Sequence, residues 1–97
     1  MSRPTKQRYD LRLYVSGATP RSIDAIATLK SICQEHLEGR YDLEVIDVRE
    51  HPQLAKEQQL TALPLLVKRL PRPLRQFIGN LADEERVLMG LDVHRKS

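Results

Sequence analysis

A chain of 97 residues has room for one small domain, and its single cysteine excludes both an internal disulfide and a four-cysteine metal site. No run approaches the roughly 18 apolar residues of a membrane span, and no apolar stretch follows the basic start, so we expect a cytoplasmic protein. The formal charge of +3 is unevenly spread along the chain. Residues 35–57 contain seven acidic and three basic side chains, whereas residues 61–82 contain four basic and no acidic ones. Such a separation of charge favours self-association or an acidic partner.

The first half of the chain predicts a strand, a helix and a second strand. In residues 9–15, apolar side chains alternate with polar ones, which is the pattern of a strand. Thr19 and Pro20 suit the first positions of a helix that Gly39 ends. Residues 41–48 are rich in β-forming side chains, so we expect a right-handed βαβ unit with parallel strands. The apolar stripe of the predicted helix contains Ile23, Ile26, Leu29, Cys33 and Leu37.

The second half gives less consistent signals. Residues 52–59 suit a short helix, and residues 63–67 predict a strand with Pro64 near its beginning, where proline is tolerated. Residues 68–75 contain two prolines and four basic side chains, which is typical of a turn or an extended crossing. Residues 77–79 predict a short strand. A last helix follows over residues 83–91, because acidic side chains come first and apolar ones later.

The corner between the first strand and the helix is the place where thioredoxin-like proteins carry redox cysteines. Here residues 16–19 contain none, and cap and turn roles are favoured over a nucleophile or an anion site. Cys33 lies in the apolar stripe instead, which predicts a buried and unreactive thiol. His36, His51 and His94 lack the spacing of metal ligands, so we expect no metal and no cofactor.

The basic segment 68–75 is the strongest charge cluster of the chain. Nucleic-acid binding would use it through phosphate contacts, but the segment has no stacking aromatic side chain and the total charge is low. A subunit or partner contact through Arg69, Arg72 and Arg75 is favoured, since arginine pairs with carboxylates in a defined orientation. Two alternatives stay open: a thioredoxin-type redox protein using Cys33, and a basic nucleic-acid-binding module.

Three segments taken in order resemble the KaiB family, which is named for a component of the cyanobacterial circadian clock. They are LRLYVSGATPRS, YDLEVIDVREHPQLA and TALPLLVKRLPRPLRQFIGNLADEERVLMGLD, and together they span residues 11–92. The resemblance implies an α/β, thioredoxin-like domain over residues 9–93. We expect a disordered N-terminal segment at residues 1–8 and a basic C-terminal tail at residues 94–97.

The resemblance also implies a non-enzymatic regulatory protein that binds a KaiC-like ATPase or a sensor kinase. In this family a resting tetramer of βαββααβ order exchanges with a rarer thioredoxin-like monomer of βαβαββα order, which binds the partner. What this implies here is a homo-oligomer, dimer or tetramer, whose second half changes fold. Pro64, Gly90 and Asp92 are the candidate switch residues. Gly90 and Asp92 are a glycine and an acid late in the predicted helix, and each weakens that helix by about 0.3 to 1 kcal/mol.

Two positions and the C-terminal residues depart from the pattern of the clock members. Glu44 and Gln76 stand where those proteins tend to carry basic residues, and residues 94–97 stand where they tend to have a longer acidic tail. A charge reversal at a buried partner contact costs several kcal/mol, in the range of about 2 to 5. We therefore expect Glu44 to mark a partner-facing strand and the protein to be a paralogue outside the core clock, active in stress adaptation or signalling.

Overall fold

Seven elements follow one another in the computed structural model, which describes residues 8–57, 63–78 and 81–91. They are β1 (Tyr9–Val15), α1 (Pro20–His36), β2 (Tyr41–Asp47), α2 (Pro52–Glu57), β3 (Leu65–Leu70), β4 (Arg75–Ile78) and α3 (Glu84–Leu91). This βαβαββα order is the thioredoxin-like one of the two orders that the resemblance implied.

The four strands form one sheet in the order β2-β1-β3-β4, so β2 and β4 are its edges. Strand β1 pairs in parallel with β2, in the register from Tyr9 opposite Tyr41 to Val15 opposite Asp47. The parallel βαβ start is therefore confirmed. Strand β3 is antiparallel to both β1 and β4.

Helices α1 and α3 pack on one face of the sheet and enclose the main core. Leu11 and Leu13 of β1, Leu66 of β3, Leu29 of α1 and Leu91 of α3 are all completely buried there. Burial of such side chains contributes about 1.5 to 3 kcal/mol each. The core is mostly aliphatic, with Tyr9 as its buried aromatic side chain, as the scarcity of aromatic residues in the sequence suggests.

The buried side of α1 is rotated relative to the predicted apolar stripe. Ile23, which the sequence places in the stripe, is 53% exposed, whereas Ser22 and Ala25 are buried. Small side chains at these two buried positions allow α1 to pack closely, which the larger Ile23 would prevent. Ser22 tolerates burial because its hydroxyl accepts a hydrogen bond from the Thr19 hydroxyl at 2.9 Å.

The opposite face of the sheet has a smaller apolar cluster of its own. The pattern of β1 placed Tyr14 on a polar face, but Tyr14 is 4% exposed and packs with Ile46, Leu65 and Val67. Leu54 of α2 packs against the same cluster. The sheet is therefore covered on both faces around Tyr14. The alternation of polar and apolar positions along one strand does not reveal this second cover.

Strand β3 extends further than the sequence predicted. Lys68 lies in the strand and not in a turn, since it is paired in register with both Leu11 and Arg75. Only residues 71–74 connect β3 to β4, and β4 begins at Arg75, two residues before the predicted short strand. Backbone pairing on both sides of β3 outweighs the turn-like composition of this segment. The peptide bonds that precede Pro64, Pro71 and Pro73 are cis.

Helix α3 begins beside Asp83, whose carboxylate accepts the backbone N–H of Arg86 at 3.3 Å. The predicted apolar side chains Val87, Leu88 and Leu91 are buried, so the expected helix is confirmed. Residues 58–59 of the predicted second helix, Gly79 of the predicted short strand and the switch candidate Asp92 lie outside the described residues.

Gly90 lies where α3 packs against β4, and a Cβ atom at this position would collide with the Phe77 ring. Alanine at position 90 gains up to about 1 kcal/mol of helix propensity, but overpacking costs about 1 to 3 kcal/mol. We therefore expect Gly90→Ala to be more favourable by about 1 kcal/mol or more in a Phe77→Ala background than in the original chain. Urea unfolding of the four proteins of this double-mutant cycle measures the coupling. Additive effects would contradict the contact.

Candidate partner-binding surface

The strand-to-helix corner is held by a hydrogen bond within it and by hydrogen bonds to Asp47 at the end of β2. Gly17 has φ +69 and its N–H donates to Asp47 Oδ1 at 3.1 Å, while the N–H of Arg49 donates to the same oxygen at 3.0 Å. Thr19 Oγ1 accepts the N–H of Ser22 at 3.2 Å and caps α1. These are the cap and turn roles that the sequence favoured. Within residues 8–57, 63–78 and 81–91, no group of three histidine, cysteine or acidic side chains could hold a metal ion.

Asp47 joins this corner to the end of β2, and its charge is expected to stabilise the fold. The Arg49 N–H, with a smaller contribution from the Gly17 N–H, holds the pKa of this carboxyl below its ordinary value, although desolvation acts the other way. Because the folded pKa is the lower one, the stabilisation is present above about pH 4 and is lost as the pH falls through the folded pKa.

We therefore expect Asp47→Asn to lower the urea midpoint at neutral pH, and this deficit to shrink below about pH 4. Glu50→Gln removes the same charge from an exposed neighbour and serves as the control. A deficit that stays constant across the acid range would show that the charge of Asp47 plays no part.

Cys33 is completely buried on the core side of α1. Burial raises the pKa of its thiol to about 12. A thiol of this kind is not available as a nucleophile while the protein is folded, because the thiolate is the reactive form. The expectation of a buried thiol is confirmed, and this result counts against the redox alternative.

Two ion pairs line β2, the edge strand on which Glu44 was expected to meet a partner. Arg8 contacts Asp42 with 3.1 Å between Nη2 and Oδ2, and Arg12 approaches Glu44 with 3.7 Å between Nε and Oε1. Arg8 was expected to belong to the disordered N-terminal segment 1–8, but the structure describes it in this ion pair. Residues 1–7 and 92–97 lie outside the described part of the chain. Glu44 itself is exposed, so a partner at this edge would reach it.

The three arginines of the basic segment lie around the β3–β4 connection, and all are exposed. Arg69 and Arg72 line a common concavity of about 400 Å³ with Leu74, whereas Arg75 begins the edge strand β4. Glu44 lies at the opposite edge of the sheet. The four expected contact residues therefore form two separate regions and not one continuous surface.

Sequence reasoning missed Arg12, which lies between these two regions. Arg12 is paired in register with Glu44 on one side and with Val67 on the other, and Val67 is paired with Gln76. These four residues form one row across the sheet, on the face away from α1 and α3. The alternation in β1 does place Arg12 on a polar face, but only the strand order reveals its neighbours. Glu44 and Gln76, the two single positions that depart from the clock pattern, both belong to this row.

The expected switch residues lie in different elements. Pro64 is buried immediately before β3, and Gly90 is part of α3. Asp92 follows α3 outside the described residues. In the part of the chain that is described, no helix has the length and apolar character needed to cross a membrane.

Comparison with known proteins identifies the family. The KaiB domain model matches residues 12–93. The circadian clock oscillator protein KaiB of Microcystis aeruginosa is 52% identical over 88 residues, which cover 91% of this chain and 85% of that protein. The circadian clock oscillator protein KaiB1 of a Synechocystis species is 50% identical over 90 residues, covering 93% and 86%.

Solved structures place the fold independently. The N-terminal domain of Synechococcus elongatus SasA matches with a TM-score of 0.69 at 24% identity, covering 94% of this chain and 86% of that one. Chloroplastic thioredoxin z matches with a TM-score of 0.72 at 21% identity, covering 89% and 79%. At these identities the likeness concerns the fold alone. The structural matches show that the fold of this chain is thioredoxin-like, and the family match and the half-identical relatives show that the chain belongs to the KaiB family of circadian clock proteins, which are not enzymes.

Proposed function

We propose that this chain is a KaiB-type regulatory protein that binds a KaiC-like ATPase or a signalling kinase. The observation that supports this most strongly is the family match over residues 12–93, with about half of the residues identical to those of clock oscillator proteins. The buried Cys33 and the capped corner are consistent with a protein that acts by binding.

The edge strand β2 is the surface that we assign to the first partner contact. In the ranges that the structure describes, β2 pairs with β1 and no strand lies along its other side. An edge of this kind can accept a strand from another protein through backbone hydrogen bonds. Glu44 and the 38%-exposed Val45 lie on this strand and would contribute side-chain selectivity.

The binding form in this proposal is the thioredoxin-like packing, and the resting form is a homo-oligomer, a tetramer or a dimer, with the other order of elements. Release and refolding of residues 61–92 would then precede binding, by population shift. Pro64, Gly90 and Asp92 are the proposed switch residues. We expect slow binding on mixing. Asp92→Arg together with Gly90→Ala should accelerate it when Phe77→Ala is also present, because a Cβ atom at position 90 otherwise collides with the Phe77 ring.

The finer part of the proposal concerns which partner is bound. Glu44 and Gln76 lie in one row across the sheet, and the resemblance associates basic residues with both positions in clock members. We propose that this row selects a partner outside the core clock, in stress adaptation or signalling. The basic side chains Arg69, Arg72 and Arg75 would supply further contacts to a partner or to a neighbouring subunit.

The test is a binding measurement with two purified ATPases: the KaiC-like ATPase of the source organism and the KaiC of a clock-bearing cyanobacterium. Biolayer interferometry should show slow binding of the original chain to the first, and improved binding of Glu44→Lys with Gln76→Lys to the second. Glu35→Lys on α1 is the matched control. Absence of binding to either ATPase or to a sensor kinase, for the original chain and for the switch variants alike, would refute the proposal.

A further inference from the structure

The sheet face away from α1 and α3 contains a concavity of about 300 Å³, which we call the arginine groove. It lies across β1, β3 and β4 and reaches the β3–β4 connection at Leu74. The residues that line it are Arg12, Tyr14, Val67, Arg69, Leu74 and Gln76. Arg69 and Leu74 also line the adjoining concavity that contains Arg72, so the groove continues along the hairpin.

Arg12, which lines this groove, has one side-chain donor without a hydrogen-bond partner in the described part of the chain. Its Nε atom is shielded from solvent and has no hydrogen-bond partner among the described residues. The nearest acidic oxygen, Glu44 Oε1, is 3.7 Å away, which is beyond hydrogen-bonding distance. A buried N–H of a guanidinium is costly to leave unpaired, and oxygen anions are its best partners.

We propose that the arginine groove binds a carboxylate side chain in an extended acidic segment of a partner protein. The carboxylate would lie between Arg12 and Arg69, and Gln76 would offer an additional amide donor. The 58%-exposed Leu74 presents apolar surface beside these charges, which fits an aliphatic side chain next to the acid in the partner segment. This inference rests on the proposed function for the statement that the ligand is a protein.

The charges around the groove favour a peptide over a nucleic acid. Asp10 lines the adjoining concavity, and the exposed Asp42 and Glu44 lie along the same face of the neighbouring edge strand. A continuous phosphate backbone would meet these carboxylates as well as the arginines. A segment with separated acidic side chains can place one carboxylate in the groove and avoid the others.

Glu44 acts as an internal competitor in this arrangement. Its carboxylate is held near Arg12 without a hydrogen bond, and an incoming carboxylate would replace it. Removing the charge of Glu44 should therefore strengthen binding, whereas removing the charge of Arg12 should weaken it. Opposite effects of these two neighbours are not expected from a residue that only supports the sheet.

The experiment uses fluorescence anisotropy with a labelled peptide of alternating glutamate and leucine, and with its glutamine and leucine analogue. The full chain should bind the acidic peptide, and Arg12→Gln and Arg69→Gln should each weaken it by about tenfold. Arg21→Gln on α1 removes the same charge elsewhere and should change the affinity by less than about twofold. Glu44→Gln should tighten binding several-fold, while Glu35→Gln should not. Circular dichroism and urea midpoints establish that each variant is folded.

Several results would overturn the groove assignment. Equal losses in Arg12→Gln and Arg21→Gln would show that only net charge matters, and equal affinity for the glutamine analogue would show that no carboxylate is recognised. Arg12-dependent binding of single-stranded DNA in preference to the peptide would assign the groove to nucleic acid. An Arg12-dependent change in the oligomeric state, measured by analytical ultracentrifugation, would make a second copy the occupant. The peptide assay contains no ATPase, so a negative result there refutes the groove assignment and not the proposed ATPase binding. Likewise, a negative result in the ATPase assay does not bear on whether the groove binds the acidic peptide.

Discussion

Replacing Leu13 by alanine is expected to destabilise this protein by about 3 kcal/mol or more. Leu13 is completely buried on the central strand β1, between Val45 of β2 and Leu66 of β3, and its side chain belongs to the core that α1 and α3 cover. The substitution loses the transfer free energy of the removed methyl groups and leaves a cavity. Since a domain of this size has a total stability of about 5 to 15 kcal/mol, the loss is a large share of it.

Urea denaturation followed by circular dichroism measures this effect as a lower midpoint at an unchanged slope. Leu74→Ala is the matched control, because the same atoms are removed from a side chain that is 58% exposed. We expect the control to cost less than about 1 kcal/mol. Similar losses for the two variants would mean that β1 is not at the centre of the core.

The lone thiol gives the second large effect. Raising the pKa of Cys33 from 9.0 to about 12 lowers the thiolate fraction at neutral pH about a thousandfold, and enclosure by the core removes access as well. We therefore expect a disulfide reagent such as dithionitrobenzoate to label the folded protein at least about a thousandfold more slowly than the urea-unfolded protein. Stopped-flow absorbance measures both rates.

The control moves the thiol by one residue. Gln34 is exposed on the same helix, so the double variant Cys33→Ala with Gln34→Cys should be labelled rapidly while folded. Rapid labelling of Cys33 in the folded original chain would revive the thioredoxin-type redox function. Slow labelling leaves no accessible thiolate in the chain, because Cys33 is its only cysteine.

In this protein the Cys33 thiol is buried, whereas the candidate binding surfaces are exposed. The corner that thioredoxin-like enzymes use for chemistry is occupied here by the Thr19 cap and by the Asp47 hydrogen bonds. The exposed features are the edge strand β2, the arginine groove, and the basic hairpin formed by the β3–β4 connection with Arg69, Arg72 and Arg75. Each of them suits recognition of another protein, which is the basis of the proposed function.

Much of the first half of the fold could be predicted, because its signals are local. The alternation in residues 9–15, the Thr19 cap and the positive φ that Gly39 tolerates each depend on a few adjacent residues, and all have counterparts in the structure. The burial of Cys33 followed from its helical spacing for the same reason. Segments that resemble a known family supplied the expected order of elements in the second half.

The positions that the sequence misassigned depend on contacts between distant segments. The exposure of Ile23 follows from the rotation of α1 on the sheet, and the burial of Tyr14 follows from the cluster on the other face. Lys68 belongs to a strand because Leu11 and Arg75 pair with it on both sides. Periodicity shows which side chains share a face, but it does not show which faces meet.

The sequence alone therefore determined the family, the βαβ start, the capped corner without a thiol and the enclosed cysteine, since these depend on side-chain identity and short-range spacing. The tertiary structure decided which strands are edges, that Glu44 and the basic hairpin lie apart, and that Arg12 lies in a groove between them. These features arise from the order of strands in the sheet. That order is set by packing free energy summed over residues far apart in the chain, and no single segment encodes it.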